Sequence, residues 1–394
     1  MFNLTHTFDN DKLTLSLSGH IDSANAQNVE DEITKLREAY IPTSVVIDCA
    51  GLEYISSAGL RIILRIKKAI PDTKVVEVNS DVYEIFDVTG FTEMMEIQKA
   101  YRVISVEGCE IIGRGANGIV FRIDRDTVVK SYKHPDALPE IHRERELART
   151  AFVLGIPTAI PYDVVRIEGG GYGSVFELLN ATSYAKLLIN GERSVDEIAK
   201  MSVDLLKLIH STTVKPDSMP DMKKTALGWA EFLADYLPAP QYEKLHSLIE
   251  AVPDDNHMLH GDYHIKNVMV QNGESLLIDM DTLCHGHPVF ELASMFNAYR
   301  GFSELDHSVV KNFIGIDYET AGELWYKMLG LYIGTEDEEK IKEVERKAQV
   351  VGYTRLMRRE IRRNGTELES GRAFIANCRR HIEELLETVD TLTF

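Results

Sequence analysis

Apolar and polar residues first alternate at Leu13-Thr14-Leu15-Ser16-Leu17-Ser18, the period of a half-buried strand. Helical spacing follows from about Asn25 to Tyr40, where Val29, Ile33 and Leu36 recur by turns. Ser44-Val45-Val46-Ile47-Asp48-Cys49 is apolar enough for a buried strand. Leu60, Ile63 and Leu64 predict a helix from Ser57 to Ile70, which Pro71 ends. Lys74-Val75-Val76-Glu77-Val78 predicts the next strand, Asp81 to Val88 a short helix, and Met94-Met95-Glu96-Ile97 a last strand. Strands alternating with helices over the first hundred residues make an α/β unit, one sheet covered by helices.

The pattern changes after a junction near Lys99 to Ser105, which is too poor in glycine and serine to act as a loose tether. Ile119-Val120-Phe121-Arg122-Ile123 and Val128-Val129-Lys130 read as strands, and Ile141 to Leu154 as a helix. Glu168-Gly169-Gly170-Gly171 is a turn, and Gly173 to Leu179 the strand leaving it. Helical spacing then dominates, at Ser194 to His210, Asp317 to Ile333 and the charge-laced run Glu336 to Arg363. The predicted organisation is a first domain at 1–103, a small α+β lobe at 104–180 and a helical lobe at 181–394.

Composition narrows the possibilities. A chain of 394 residues supports two or three folding units, and 44% hydrophobic residues suffice for real cores. The net charge, 43 − 62 = −19, argues against a nucleic-acid partner. It leaves room for a cationic substrate, although solubility explains it equally. Cys49, Cys109, Cys284 and Cys378 are scattered without a C-x-x-C, which suits a reducing cytoplasm and argues against zinc or disulfide frameworks. Met1 to Lys12 lacks the basic start and apolar run of a signal peptide. No stretch approaches the roughly 18 apolar residues of a membrane span. The expected setting is cytoplasmic, away from membranes.

The densest chemistry lies at His260-Gly261-Asp262-Tyr263-His264-Ile265-Lys266-Asn267, with Asp279 twelve residues beyond Asn267. This order of carboxylate, amide and carboxylate suits metal-assisted phosphoryl transfer. Asp262 can accept a proton from an attacking hydroxyl, while Asn267 and Asp279 can share a Mg2+ ion that bridges ATP phosphates. Asn272-Gly273 between apolar runs predicts a hairpin that returns Asp279 to Asn267. Far upstream, Gly113-Arg114-Gly115-Ala116-Asn117-Gly118-Ile119-Val120 reads G-x-G-x-x-G-x-V. A strand, not a helix, follows the last glycine, so the loop fits a phosphate-covering flap between two strands better than a dinucleotide turn. Lys130 is then the candidate phosphate-steering lysine, and Glu144 its helix partner ahead of Glu146.

Two resemblances extend this reading. Ser18-Gly19-His20-Ile21-Asp22-Ser23-Ala24-Asn25-Ala26, Ile47 to Arg61 and Phe86-Asp87-Val88-Thr89-Gly90-Phe91 resemble the STAS domain, the fold of anti-sigma-factor antagonists. That resemblance implies a phosphorylation site at Ser57 that switches binding of a protein partner. The alternative is that Ser56 or Ser57 simply caps a helix. Gly113 to Val120, Lys130, Glu144, Gly155-Ile156-Pro157-Thr158, His260 to Asn267 and Ile278-Asp279-Met280-Asp281 resemble the aminoglycoside phosphotransferase and choline kinase-like family. This implies a bilobal, protein-kinase-like α+β fold and an ATP- and Mg2+-dependent transfer to a small-molecule hydroxyl.

Carried over, Asp262 is the catalytic base, and Asn267 and Asp279 hold the metal. Gly113, Gly115, Gly118, Val120, Lys130, Glu144, Glu177 and Leu179 bind ATP, the last two at the adenine edge. A protein kinase would need D-F-G and an activation segment, and neither fits between Asp279-Met280-Asp281 and the helix near Phe290. Asp281 departs from the pattern. It reads either as a contact for a second ion or a cationic substrate, or as a solvated turn residue. Arg355, Arg358, Arg359, Arg362 and Arg363 read as a solvated helix face, Trp229 and Trp325 as core, and His260 as a brace. Three functions stay open: a small-molecule phosphotransferase, a kinase acting on Ser57, and a catalytically silent two-module scaffold.

Overall fold

A computed structural model describes residues 2–115, 118–134 and 136–394. The chain forms two compact units. The first runs to Glu107 and takes in Val164–Tyr172. The second comprises Gly108–Asp163 and Gly173–Phe394.

In the first unit the chain runs β1 (Asn3–Asp9), β2 (Lys12–Ile21), α1 (Ala26–Tyr40), β3 (Ser44–Ile55) and α2 (Ser57–Ala69). It continues through β4 (Asp72–Val78), α3 (Ser80–Val88), α4 (Phe91–Met94), β5 (Ile97–Lys99) and β6 (Arg102–Ile104). The sheet order is β1-β2-β3-β4-β5, with β1 antiparallel to β2 and the rest parallel. Its core joins Leu13, Leu15, Ile47 and Val75 of the strands to Ile33, Ile63 and Phe86 of the helices. Gly59 lets α2 lie on the sheet, since a Cβ there would come within 2.7 Å of Ile55 and 2.8 Å of Ile21. β6 pairs in parallel with Val165–Ile167.

One element goes beyond the sequence reading and one departs from it. β1 carries no alternation signal because both of its faces are largely exposed. The strand expected at Met94 to Ile97 gives way to α4, entered from Gly90 at φ +76°, and to β5 beyond it.

The second unit opens with β7 (Glu110–Arg114), β8 (Gly118–Arg122), β9 (Thr127–Tyr132) and α5 (Leu138–Val153); β10 (Pro161–Ile167) passes into the first unit at Val164, and β11 (Tyr172–Glu177) returns to the second at Gly173. β7, β8, β9 and β11 pair antiparallel in the order 7-8-9-11. The helical part follows with β12 (Thr182–Ser183), α6 (Tyr184–Ile189), α7 (Val195–Ser211), α8 (Met222–Phe232), α9 (Ala239–Glu250) and β13 (Met258–Leu259). Then come β14 (Val268–Gln271), β15 (Glu274–Leu277), β16 (Cys284–His285) and α10 (Val289–Tyr299). The chain ends with α11 (Ser308–Phe313), α12 (Tyr318–Ile333), α13 (Glu338–Arg362) and α14 (Glu369–Thr388). α10 is buried on every side, the central post against which α12 and α13 pack. Trp325 and Trp229 belong to this core.

Candidate active site

The loop carrying Asp262 is held almost atom by atom. Gly261 has φ +80°, and a Cβ there would stand 2.4 Å from the Thr282 carbonyl oxygen, so only glycine fits. His260 is fully buried. Its Nδ1 accepts from the Asp262 N–H at 3.3 Å, which leaves Nε2 to donate to the Ile278 carbonyl, also at 3.3 Å. Glu291, rising from α10, accepts from the N–H groups of His260 and Gly261. Thr282 Oγ1 donates to the His260 carbonyl at 2.8 Å. Ser294 Oγ donates to the Gly261 carbonyl at 2.8 Å, and Arg355 Nη1 donates to the same oxygen at 3.2 Å. Both peptide groups before Asp262 are thereby satisfied, and the carboxylate is presented from a rigid base.

The hairpin of β14 and β15 turns at Asn272 and Gly273, with φ +53° and +85°, the left-handed pair a tight two-residue turn demands. It returns the chain so that the Ile278 N–H donates to the Asn267 carbonyl at 3.0 Å. Asn267 Nδ2 donates to the Asp262 carbonyl at 3.1 Å, which keeps its Oδ1 available as an oxygen donor. Asp279 follows in the left-handed region at φ +64°, a conformation that aspartate tolerates better than most residues.

Lys130 Nζ meets both Glu144 oxygens, at 2.8 and 3.0 Å, and Asp279 Oδ1 at 3.1 Å. A strand lysine is thus tied to a residue 149 positions away. Tyr132 also donates to Glu144, while Glu146 is exposed. Burial works to lower the Lys130 pKa, but Glu144 and Asp279 outweigh it and raise it, so the ammonium is permanent. Asp281 is half-buried beside this group. Burial, then the Asp279 charge, push its carboxyl up to about 7. Burial also pushes Asp262 up, but His264, 3.6 Å away, with Arg355 and His260, outweighs it and lowers its pKa below the ordinary value. Asp262 is therefore ionised at neutral pH.

The glycine loop joins β7 to β8. Gly115 N donates to the Gly118 carbonyl at 2.9 Å, and Gly113 pairs with Val120. Gly118 cannot carry a side chain, because a Cβ would lie 2.3 Å from the Ser131 carbonyl oxygen. Ala116 and Asn117 lie outside the described residues. Val120 also pairs with Lys130 across the sheet. Glu177 ends β11, where its N–H already donates to the Ile160 carbonyl at 3.2 Å and its carboxylate accepts from Ile160 N at 3.1 Å. Leu179 follows two residues past the strand end. Ser57 belongs to the first unit, as the exposed opening residue of α2. The capping is done by Ser56, whose Oγ accepts from Gly59 N at 3.4 Å.

Sequence reading missed Glu291, Ser294, Thr282 and Tyr132. Glu291 had a usable signal, being the one charged residue in the apolar run from Val289 to Tyr299. The arginine stripe needs correction. Arg355, Arg358 and Arg359 are half-buried, and Arg355 braces the catalytic loop. Only Arg362 and Arg363 are exposed. Among the described residues no cluster of three or more His, Cys, Asp or Glu forms a metal site. His264 instead packs edge-on against Phe313, at 4.9 Å.

The first unit is thus a STAS-type α/β domain, and the second has the bilobal protein-kinase-like fold. Residues 108–325 match the phosphotransferase enzyme family, and the chain belongs to that family. Residues 3–103 match the STAS domain. Over 89 residues the chain is 33% identical to BtrV of Bordetella bronchiseptica, a protein named as an anti-sigma factor antagonist. That match covers 22% of this chain and 76% of BtrV. Among solved structures, a thermostable mutant of aminoglycoside phosphotransferase APH(4)-Ia, in ternary complex with ADP and hygromycin B, superposes with a TM-score of 0.51. The identity is 11%, with 72% of this chain and 95% of that chain covered. A second crystal structure of APH(4)-Ia gives 0.51 at 11% identity, over 71% of this chain and 93% of its own. At such identities the likeness is one of fold. Among the described residues no helix is long and apolar enough to cross a membrane.

Proposed function

We propose that the second unit transfers the terminal phosphate of ATP to a hydroxyl of a small molecule, with the STAS unit as its regulatory, partner-binding module. One observation carries this reading: Lys130 contacts Glu144 and Asp279 together, at the end of the hairpin that begins at Asn267. In this reading Lys130, fixed by Glu144, steers the nucleotide phosphates beneath the Gly113–Gly118 flap. Asp262, ionised and held by the braced loop, orients the acceptor hydroxyl and takes its proton. Asn267 and Asp279 would hold Mg2+. Asn267 keeps Oδ1 and Asp279 keeps Oδ2 as oxygen donors, which suit a hard cation. When bound, the ion would offset charge on the transferred group. Leu179 is the better candidate at the adenine edge, because the Glu177 amide is engaged by Ile160. A nucleotide donor is supported by the ADP in the APH(4)-Ia complex. A small-molecule acceptor is supported by the shortness of the Asp281–Pro288 connection to α10, which has no room for a peptide-binding segment.

The test is Asp262→Asn, assayed for ADP formation with an acceptor panel and for Mg-ATP binding by calorimetry. Turnover should fall by about 10²–10⁴, the weight of a general base, with ATP affinity unchanged. Undiminished turnover would remove Asp262 from this role.

A second reading rests on Ser57, which is exposed at the start of α2 while Ser56 does the capping. There the kinase unit phosphorylates Ser57, in its own chain or another copy, and the added charge of about −1.5 to −2 switches partner binding. Intact mass after incubation with Mg-ATP, compared with Ser57→Ala, decides it. A mass gain that survives Ser57→Ala counts against this reading.

A further inference from the structure

The last two turns of α13 carry Arg355, Arg358, Arg359 and Arg362, and Arg363 caps its end. Spacings of three and four residues stack the first three along one side of the helix. Arg355 is the anchor at the loop, bonded to the Gly261 carbonyl beside Asp262, with its guanidinium 5.6 Å from the Trp229 ring centre. One turn on, Arg359 lies 4.7 Å from the Phe302 ring, and the Asp262 charge acts on it. Arg358 lies 5.7 Å from Phe232, and its Nε is buried without a hydrogen-bond partner.

No guanidinium of this group makes an ion pair with a carboxylate among the described residues. The contrast with α14 is direct: Arg379 and Arg380 pair with Glu383 and Glu384 one turn along, each at 2.8 Å. Glu360 acts on Arg359 from the adjacent position, yet its side chain lies against Gly365. Burial first, then their arginine neighbours, push Arg358 and Arg359 below the ordinary guanidinium range. In a chain of net charge −19, half-buried arginines are left without a carboxylate ion pair near Asp262. Planar guanidiniums resting on aromatic faces with free N–H forks suit phosphate or carboxylate recognition. An acceptor bearing negative charge also needs such cations to approach Asp262 and Asp281.

We infer that the acceptor is an anionic hydroxyl compound, its phosphate or carboxylate group held by Arg359 and Arg358 while its hydroxyl lies against Asp262. This rests on the phosphotransferase reading above, and it runs opposite to the cationic substrate that the net charge alone permits.

The probes are glycerol 3-phosphate, glucose 6-phosphate and gluconate, with glycerol, choline and kanamycin as neutral and cationic counterparts. Binding to the full chain with Mg-AMP-PNP is measured by calorimetry, and ADP formation with Mg-ATP runs in parallel. At least one anionic probe should bind, with affinity reduced about tenfold or more in Arg359→Gln, the weight of a charge-assisted hydrogen bond. Arg358→Gln should reduce it as well, and both variants should keep wild-type affinity for Mg-AMP-PNP. That retained affinity also shows that the variants fold. No anionic probe bound in an Arg359-dependent way, or turnover of choline or kanamycin alone, overturns the inference. The phosphotransferase reading is tested separately by loss of Mg-ATP binding in Lys130→Ala, so the two can fail independently.

Discussion

At the scale of single residues, the consequential contact is a buried ion pair. The Lys130 and Glu144 side chains are 14% and 4% exposed. Removing Glu144 from so dry a pair strips the ammonium of its closer partner and leaves only the half-exposed Asp279 bonded to it, a loss of about 3–5 kcal/mol at most. Glu144→Ala should lower unfolding free energy by up to that amount and weaken Mg-ATP binding. Exposed Glu146, two residues on, should be neutral to within about 0.5 kcal/mol when changed to alanine. Urea denaturation of both variants checks this, and equal effects would mean that the pairing seen here is not the one in solution. A second residue-scale outcome concerns Gly261. Gly261→Ala must place a methyl group 2.4 Å from the Thr282 carbonyl oxygen at a left-handed φ. A loss of about 1–3 kcal/mol should accompany a collapse of turnover, read in the same denaturation series and in an ADP assay. The residues named by these experiments differ in how they could be found. Gly113, Lys130, Asp262, Asn267 and Asp279 stand in local patterns whose spacing mirrors the chemistry. Glu291 and Arg355 reach Gly261 from 30 and 94 positions away, through contacts that no local pattern records.

At the scale of elements, α10 is the support of the catalytic loop, and its one carboxylate makes that support dependent on pH. Burial alone would raise the Glu291 pKa, but His210, His260 and the Gly261 N–H outweigh it, and the folded-state value is lowered. A lowered carboxylate contributes stability in full above its unfolded pKa of about 4.3, and loses it as pH falls through the folded value. Glu291→Gln keeps the shape, but a neutral amide oxygen accepts more weakly than a carboxylate, and its NH2 replaces the second acceptor oxygen with a donor. The variant should therefore be about 1.5–3 kcal/mol less stable at neutral pH, with the gap to wild type closing below about pH 4. A gap constant from pH 7 to pH 3 would show that packing, not charge, is the contribution. Most elements were legible from period alone, because α1, α2, α7 and α12 each bury one stripe of apolar residues. β1 was not, since an edge strand exposed on both faces leaves no such mark. The inward side of α13 was hidden for a related reason. An arginine whose guanidinium rests over Trp229, Phe232 or Phe302 looks identical in sequence to one in water.

At the scale of the whole molecule, the two units carry separate cores. Among the described residues, the first core runs from Leu13 to Met95, and the partly buried residues packed on it reach no further than Ile97. The second begins at Leu147 and reaches Leu392. A hydrophobic core that closes within its own segment should unfold as its own cooperative unit. The full chain should therefore lose structure in more than one step in urea. A fragment of residues 1–99, which holds all five strands of the first sheet, should fold alone and reproduce one of those steps with a slope of about 1–3 kcal/mol/M. The place of the cut matters. β6 pairs with Val165–Ile167, so a complementary fragment that begins at Ala100 keeps that pairing, while one that begins at Gly108 exposes the edge of Val165–Ile167. Unpaired edges invite association. The fragment from Gly108 should then show higher-order species in light scattering that the one from Ala100 does not. Equal behaviour of the two would mean that the β6 pairing adds nothing to the fold. A single sharp transition of the full chain, with fragment 1–99 unfolded, would mean that the first unit depends on the second for its stability.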